Sequence, residues 1–98
     1  MAGDSVSVAP NLYKVLLEND KVRILETRYG PGVKSELHSH PDLVAVAITP
    51  AKAIFTLADG HTADIEMQAG QAFFIDGQEH TVENMGASEF HVILVELK

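Results

Sequence analysis

Residues 32–41 read GVKSELHSHP and are the most informative stretch of this chain. Side chains in a β-strand alternate between the two faces of a sheet, so His38 and His40 point to the same side. Two imidazoles on one face can bind one metal ion as neighbouring ligands. If the strand runs from Lys34 to His40, Glu36 shares that face. The stretch therefore predicts a strand that begins a metal site.

On both sides of this stretch, short apolar segments alternate with turn residues. The predicted strands cover residues 12–17, 22–29, 34–40, 43–49, 53–58, 61–67, 71–75, 79–84 and 90–97. The run 43–49 is continuously apolar, as in a strand buried on both faces. Asp59-Gly60 is a strong hairpin signal. About eight short antiparallel strands, with turns every 8–12 residues or so, favour an all-β sandwich or closed barrel. Only 12–17 also fits a helical turn or two.

A third histidine, His80, begins another predicted strand much further along the chain. One strand cannot surround a metal ion, so a site that starts at His38 and His40 needs a ligand from a distant strand. Three neutral imidazoles leave coordination positions for water or substrate, which is typical of catalytic sites. The alternative is that His38 and His40 form a solvated surface pair.

Four other polar residues have alternative interpretations. Glu36 either serves the site as a ligand support or general base, or lies exposed near its mouth. Asn84 shares a face with His80, and it either holds a ligand or closes a turn. His61 follows the hairpin turn, where we expect a solvated side chain. His91 receives no role.

Composition limits the classes of function. The 98 residues suffice for one domain, and 46% hydrophobic and 21% charged residues are ordinary globular values. The chain has no cysteine, so a metal must be held by nitrogen and oxygen. The net charge of −7 and only seven scattered lysines and arginines argue against nucleic acid or a membrane as partner.

The beginning of the chain differs from the remainder. Residues 1–10 are small and polar, and we expect a loose segment or an edge strand swapped onto a partner, followed by one domain over 11–98. The segment lacks the basic start and apolar centre of a secretory signal, so the expected location is the cytoplasm.

Two histidine-bearing stretches together resemble the motifs of the cupin superfamily, and the similarity covers roughly 22–97. Within 32–41, a glycine is followed after five residues by His-x-His and then by proline. Within 70–84, a glycine, an apolar strand and a turn precede a histidine, with an asparagine four residues later. The chain is similar to very small single-domain cupins, some of them named for β-alanine degradation.

The resemblance implies a cupin-type jelly-roll barrel with a divalent transition metal, Fe, Mn, Ni or Zn, on His38, His40 and His80. The glutamate of the family's first motif should fall near Val44 or Ala45, and neither residue binds a metal. The usual four-ligand set is therefore reduced to three histidines. Some cupins, including thiol dioxygenases, operate with three, and others have lost the metal.

Two functions follow from this pattern. The first is a metalloenzyme of the dioxygenase, isomerase or decarboxylase type that acts on a small polar metabolite, with Glu36 as the only nearby carboxylate. The second is a non-catalytic small-ligand-binding or sensor cupin, favoured by the missing glutamate and the short chain. The side chains predicted to line the site are those of Val44, Ala45, Phe55 and Phe74. Small cupins commonly dimerise, and exposed strand edges give a reason, so we expect a homodimer.

Overall fold

The computed structural model describes residues 2–98, which form nine β-strands and one short helix. The elements are α1 (Ser5–Val8), β1 (Tyr13–Glu18), β2 (Val22–Tyr29), β3 (His38–His40), β4 (Leu43–Ala47), β5 (Ala51–Leu57), β6 (Thr62–Met67), β7 (Ala72–Ile75), β8 (Gln78–Asn84) and β9 (Phe90–Leu97). One sheet has the order β1-β2-β9-β4-β7 and the other β3-β8-β5-β6. The neighbouring strands are antiparallel. The predicted all-β barrel is confirmed, with nine strands where about eight were expected.

The predicted hairpin at Asp59-Gly60 joins β5 to β6, which pair along their length. Gly60 has φ 94°, in the left-handed region that glycine adopts without steric cost. The turn therefore uses the residue type that its backbone conformation requires.

Apolar side chains fill the space between the two sheets. In β4, Leu43, Ala45 and Ala47 are buried, whereas Val44 and Val46 are half-buried. The prediction that this strand is buried on both faces is therefore wrong, because Val44 and Val46 on the outer face of the five-stranded sheet keep part of their surface exposed. The inner face forms a single core with the other inward-facing residues.

The segment before β1 differs from the expected loose or strand-like structure. Asp4 caps helix α1, because its Oδ2 accepts a hydrogen bond from the backbone N–H of Val6 at 3.1 Å. Asp4 also forms a parallel bridge with Ser39 of β3, so the segment covers that sheet edge within its own chain. Met1 lies outside the described residues. The division into a segment 1–10 and a domain 11–98 stays a prediction.

Helix α1 spans four residues. Within residues 2–98, no helix has the length and apolar character needed to cross a membrane.

Candidate metal centre

The three predicted histidines meet inside the barrel. His38 of β3 lies directly opposite His80 of β8 in the strand register, and His40 follows two residues later on the same face. One candidate ligand atom from each histidine lies within 4.8 Å of the others. The side chains are buried, with 0%, 7% and 3% exposure for His38, His40 and His80. The alternative of a solvated surface pair is therefore wrong.

Each of these imidazoles uses its Nδ1 atom in a hydrogen bond. The acceptors are the Glu36 carbonyl oxygen for His38 (2.8 Å), Glu96 Oε2 for His40 (2.7 Å) and Gln78 Oε1 for His80 (2.8 Å). Because a carbonyl or carboxylate oxygen only accepts, Nδ1 carries the proton in each ring. The unprotonated nitrogen is then Nε2, the form in which a neutral imidazole binds a metal.

Burial keeps two of the rings uncharged. It lowers the pKa of His38 to about 4, with the charge of His40 as a lesser cause. Burial also lowers the pKa of His80 to about 3, together with the neighbouring His40 and His38. Metal ligands must be deprotonated to bind, so these rings are ready near neutral pH. Imidazole nitrogens suit Zn, Fe, Ni or Cu, and the three histidines therefore fit a divalent transition metal.

The support of His40 belongs to a buried ion-pair network. Glu96 is 2% exposed, and its Oε1 accepts a hydrogen bond from Arg23 Nε at 2.8 Å. Arg23 also pairs with Asp4. Burial would raise the pKa of Asp4, but the hydrogen bond and charge of Arg23 outweigh it and lower that pKa. The charge of Glu96 thus has a cationic partner inside the protein.

Glu96 could have been found from the sequence. In the predicted last strand, Glu96 is in phase with the apolar Phe90, Val92 and Leu94. A carboxylate on the buried face of an apolar strand needs a partner, because an unpaired charge is costly to bury. The position of Glu96 on the apolar side of this strand was therefore the sequence signal for a buried, partnered carboxylate.

A pair of tyrosines lies beside His38. The Tyr13 hydroxyl is 2.7 Å from the Tyr29 hydroxyl and 3.2 Å from His38 Nε2. Burial raises the pKa of both phenols, and the neighbouring Tyr29 adds to the effect on Tyr13. Both are therefore protonated near neutral pH, and Tyr13 donates to His38 Nε2. Sequence reasoning missed this pair because the contact of Tyr13 with His38 joins β1 to a strand of the other sheet.

A cavity of about 60 Å³ borders the cluster and is lined mostly by apolar side chains. Ala45 and Phe55 line it as expected. Val44 and Phe74 were also predicted for this wall, and that prediction is wrong: they oppose each other on the outer face, where Phe74 is 58% exposed. The position that the family's glutamate would occupy therefore holds small, uncharged residues.

The structure does not bring the carboxylate of Glu36 into the cluster. Strand β3 begins at His38, so the alternation expected from Lys34 onward does not apply to Glu36. Glu36 is exposed, and it contributes through its backbone carbonyl to His38. A catalytic role for its carboxylate stays a prediction.

The remaining polar candidates lie outside the cluster. Asn84 closes the turn after β8, because its Nδ2 donates to the Ser88 carbonyl oxygen at 2.9 Å. His61 is exposed, as expected. His91 Nε2 lies 2.9 Å from Glu26 Oε2. None of them belongs to the group of residues that meets at the cavity.

Comparisons with known proteins agree with this architecture. No family model matches the sequence. The chain is 33% identical over 86 residues to the beta-alanine degradation protein BauB of Pseudomonas aeruginosa, covering 86% of this chain and 90% of the relative. A cupin domain from Bordetella pertussis superposes with a TM-score of 0.80 at 27% identity, covering 89% and 92% of the two chains. A Cupin 2 conserved barrel domain protein from Salinispora arenicola gives 0.67 at 21% identity, covering 93% and 79%.

Proposed function

The chain belongs to the cupin superfamily, and on that basis we propose that it holds a divalent transition metal on His38, His40 and His80. The observation that carries this proposal is the cluster of three buried imidazoles, each with its Nδ1 engaged so that Nε2 is the atom that would bind. At His38 the metal would replace the Tyr13 hydroxyl as the partner of Nε2. Such a metal supplies Lewis-acid or redox chemistry when bound.

We further propose an enzyme of the dioxygenase, isomerase or decarboxylase type that acts on a small metabolite. The apolar cavity beside the cluster excludes bulk water, and the Tyr13 hydroxyl provides a hydrogen-bond donor next to His38. The name of the bacterial relative associates that protein with β-alanine degradation, which supports a role in small-molecule metabolism.

The alternative is a non-catalytic small-ligand-binding or sensor cupin. It is favoured by the cavity wall, which includes no carboxylate among its described residues. An enzyme that moves protons usually needs a positioned acid or base. Turnover of a bound small molecule supports the enzyme, whereas tight binding without turnover supports the sensor. For the location, we keep the cytoplasm as a proposal.

The test is metal analysis of protein purified without an immobilised-metal column. We expect about one bound ion per chain, as one three-histidine site predicts. The His40→Ala variant should lose it, and His61→Ala, which changes an exposed histidine, should keep it. Equal metal content in the wild-type protein and a variant lacking all three clustered histidines would refute the proposal.

We also propose a homodimer, formed through what we call the outer apolar face. Its residues project from the five-stranded sheet away from the core: Ile24, Val44, Val46, Phe74, Ile93 and Val95. Four of them, Ile24, Val95, Val44 and Phe74, align in one row across the sheet.

Charge and area favour a second copy as the occupant of this face. The chain carries a net charge of −7, yet the charged neighbours Glu26 and Arg28 in β2 have opposite signs and pair at 3.7 Å, so two copies meet here without strong repulsion. The four strands that carry this face, spaced by about 4.8 Å and each about six residues long, give a projected area of roughly 400 Å². Because side chains make the surface uneven, its accessible area exceeds this projected area. The area that a dimer would bury thus rises toward the 800 Å² or so per partner of a standard interface.

Light scattering at micromolar concentration tests the dimer. We expect the mass of two chains for the wild-type protein and of one chain for Ile93→Asp, with unchanged circular dichroism. A wild-type mass of one chain would refute the dimer. If the Ile93→Asp variant remained a dimer, the interface would have to lie on another face of the protein.

A further inference from the structure

The cavity beside the cluster is small, and that limits its ligand. Its volume is about 60 Å³. A water-sized group needs about 10–15 Å³ of such volume, so the cavity holds roughly four to six non-hydrogen atoms. Its apolar wall includes Leu43, Ala45, Phe55, Ile65, Met67 and Leu94. The body of a matching ligand is therefore short and aliphatic.

A hydroxyl group without a partner lines the same cavity. Thr27 is 4% exposed and lines the cavity, and its Oγ1 makes no hydrogen bond of standard length within the described part of the chain. Thr27 does lie near enough to Tyr13 to offset part of the rise in the pKa of that phenol, which shows that its hydroxyl faces the tyrosine pair without a full hydrogen bond to it. A buried hydroxyl that donates to nothing is unfavourable, and such groups usually have a protein, water or ligand partner. Thr27 opposes Tyr13 in the register of β1 and β2 and precedes Tyr29 by two residues. The three hydroxyls therefore stand on one inward face.

Metal binding would leave a second donor without an acceptor. The two tyrosines have two phenolic protons. One lies in the hydrogen bond between Tyr13 and Tyr29, and the other is donated to His38 Nε2. His38 Nδ1 already donates to a backbone carbonyl, so Nε2 is the only nitrogen that His38 can offer a metal. When Nε2 binds the ion, that phenolic proton loses its acceptor. Together with the Thr27 hydroxyl, two donors then face the cavity.

We propose that this cavity binds a short aliphatic monocarboxylate of two to four carbons, an inference that rests on the proposed metal site. A carboxylate brings two acceptor oxygens and no donor, which matches the unpaired hydroxyls of Thr27 and the tyrosine pair. Acetate to butanoate span four to six non-hydrogen atoms or so, the capacity of the cavity.

The charge of the site favours an anion. A divalent ion on three neutral imidazoles leaves uncompensated positive charge in a buried place, and Glu96 is already paired with Arg23. A carboxylate reduces that charge. A protonated amine would instead add to that charge, and an uncharged polyol would leave it uncompensated. The sequence predicted a small polar metabolite, and the cavity narrows this to a molecule that is polar at one end only.

Calorimetric titration of the zinc-loaded protein in carboxylate-free buffer tests the inference. We expect propanoate and butanoate to bind, and hexanoate, which exceeds the cavity, to bind about tenfold more weakly or not at all. Propylamine and propanol should not bind, because neither offers two acceptors. Equal affinity for hexanoate and propanoate would overturn the size argument, and with it the proposal.

The role of Thr27 is tested by an isosteric change. Thr27→Val removes the hydroxyl and should weaken propanoate binding about tenfold or more, the usual loss for a hydrogen bond to a charged group. Zinc affinity should stay unchanged, and Thr27→Ser should restore propanoate binding. Thr81→Val, in β8 on the outward side, is the matched control.

The possible failures are distinguishable. A chain that takes up none of zinc, iron, manganese and nickel refutes the proposed function and this inference together. A chain that binds zinc but not propanoate, or whose Thr27→Val variant binds propanoate like the wild type, refutes the carboxylate site alone.

Discussion

The two sheets of the barrel contribute different parts of the candidate metal centre. The four-stranded sheet supplies all three imidazoles, from β3 and β8, and the Gln78 acceptor for His80. The five-stranded sheet supplies Glu96, which accepts from His40, and the Tyr13 hydroxyl, which contacts His38. Because His40 depends on Glu96 from the opposite layer, the four-stranded sheet alone does not complete the site.

The outer surfaces of the sheets differ as well. The four-stranded sheet turns acidic side chains outward, including Asp64, Glu66, Glu79 and Glu83, whereas the five-stranded sheet turns the outer apolar face outward. Because a net-negative chain repels its copy through an acidic surface, the two faces cannot serve the same purpose. One face suits solvent and the other suits a partner.

The largest expected effect comes from removing a ligand of the four-stranded sheet. His80→Ala should lower metal affinity by about a hundredfold or more, since two imidazoles seldom retain a divalent ion that needs three. His91→Ala changes a histidine of the five-stranded sheet and should leave metal content unchanged. Elemental analysis measures the metal content of both variants. Equal metal loss in both would contradict the assignment of the ligands to the four-stranded sheet.

The next effect comes from a support on the five-stranded sheet. Glu96→Gln keeps an acceptor for His40 Nδ1 but removes the charge, and outer supports of this kind change metal affinity by about 10–100-fold. Glu26→Gln, whose side chain contacts His91 instead, should change it little. Competition with a chromogenic chelator measures both. Unchanged affinity in Glu96→Gln would show that the imidazole orientation does not depend on this sheet.

Acid should destabilise the metal-free chain, and the groups responsible are two buried histidines of the four-stranded sheet. An unfolded histidine takes up a proton near pH 6.5 or so, but the folded His38 and His80 have pKa values of about 4 and about 3. Between the unfolded and folded pKa values, the unfolded chain binds more protons than the folded chain. The free energy of unfolding therefore falls as pH drops from about 6.5, and the stabilisation from the two neutral histidines is lost below their folded pKa values.

Chemical denaturation at a series of pH values measures this effect. His80→Gln should flatten the dependence, because it removes one of the two titrating groups, whereas His61→Ala should leave the wild-type curve. A denaturation midpoint that does not change between pH 7 and pH 4 would contradict the lowered pKa values.

The smallest effect is expected on the acidic outer surface. Asp64→Asn should change the free energy of unfolding by about 0.5 kcal/mol or less and leave the mass in solution unchanged. The corresponding change on the other sheet, Ile93→Asp, should separate the dimer. If Asp64→Asn altered the association state, the assignment of the partner surface to the five-stranded sheet would be wrong.

Much of the centre was predictable from sequence because strand alternation is local. His38 and His40 share a face at any position of their strand, and the spacing to His80 adds a second strand. The same rule failed at Glu36, because it requires an unbroken strand and β3 begins only at His38. Within the N-terminal segment, which was expected to be loose or a swapped edge strand, the Asp4 side chain caps the short helix α1.

By itself, the sequence determined the short strands of a sandwich or barrel and placed His38 and His40 on one face, because periodicity and turn chemistry act between near neighbours in the chain. The resemblance to the cupin motifs added the jelly-roll barrel and supported His80 as the third ligand. Only the tertiary structure decided which groups support the three histidines. The phase of Glu96 in its strand indicates a buried carboxylate, but it does not identify His40, 56 positions away, as the partner. Tyr13 likewise reaches His38 across 25 positions, a contact that no local pattern encodes. The unpartnered Thr27 hydroxyl is likewise visible only when the sheets close, because a missing partner is a property of the packed interior.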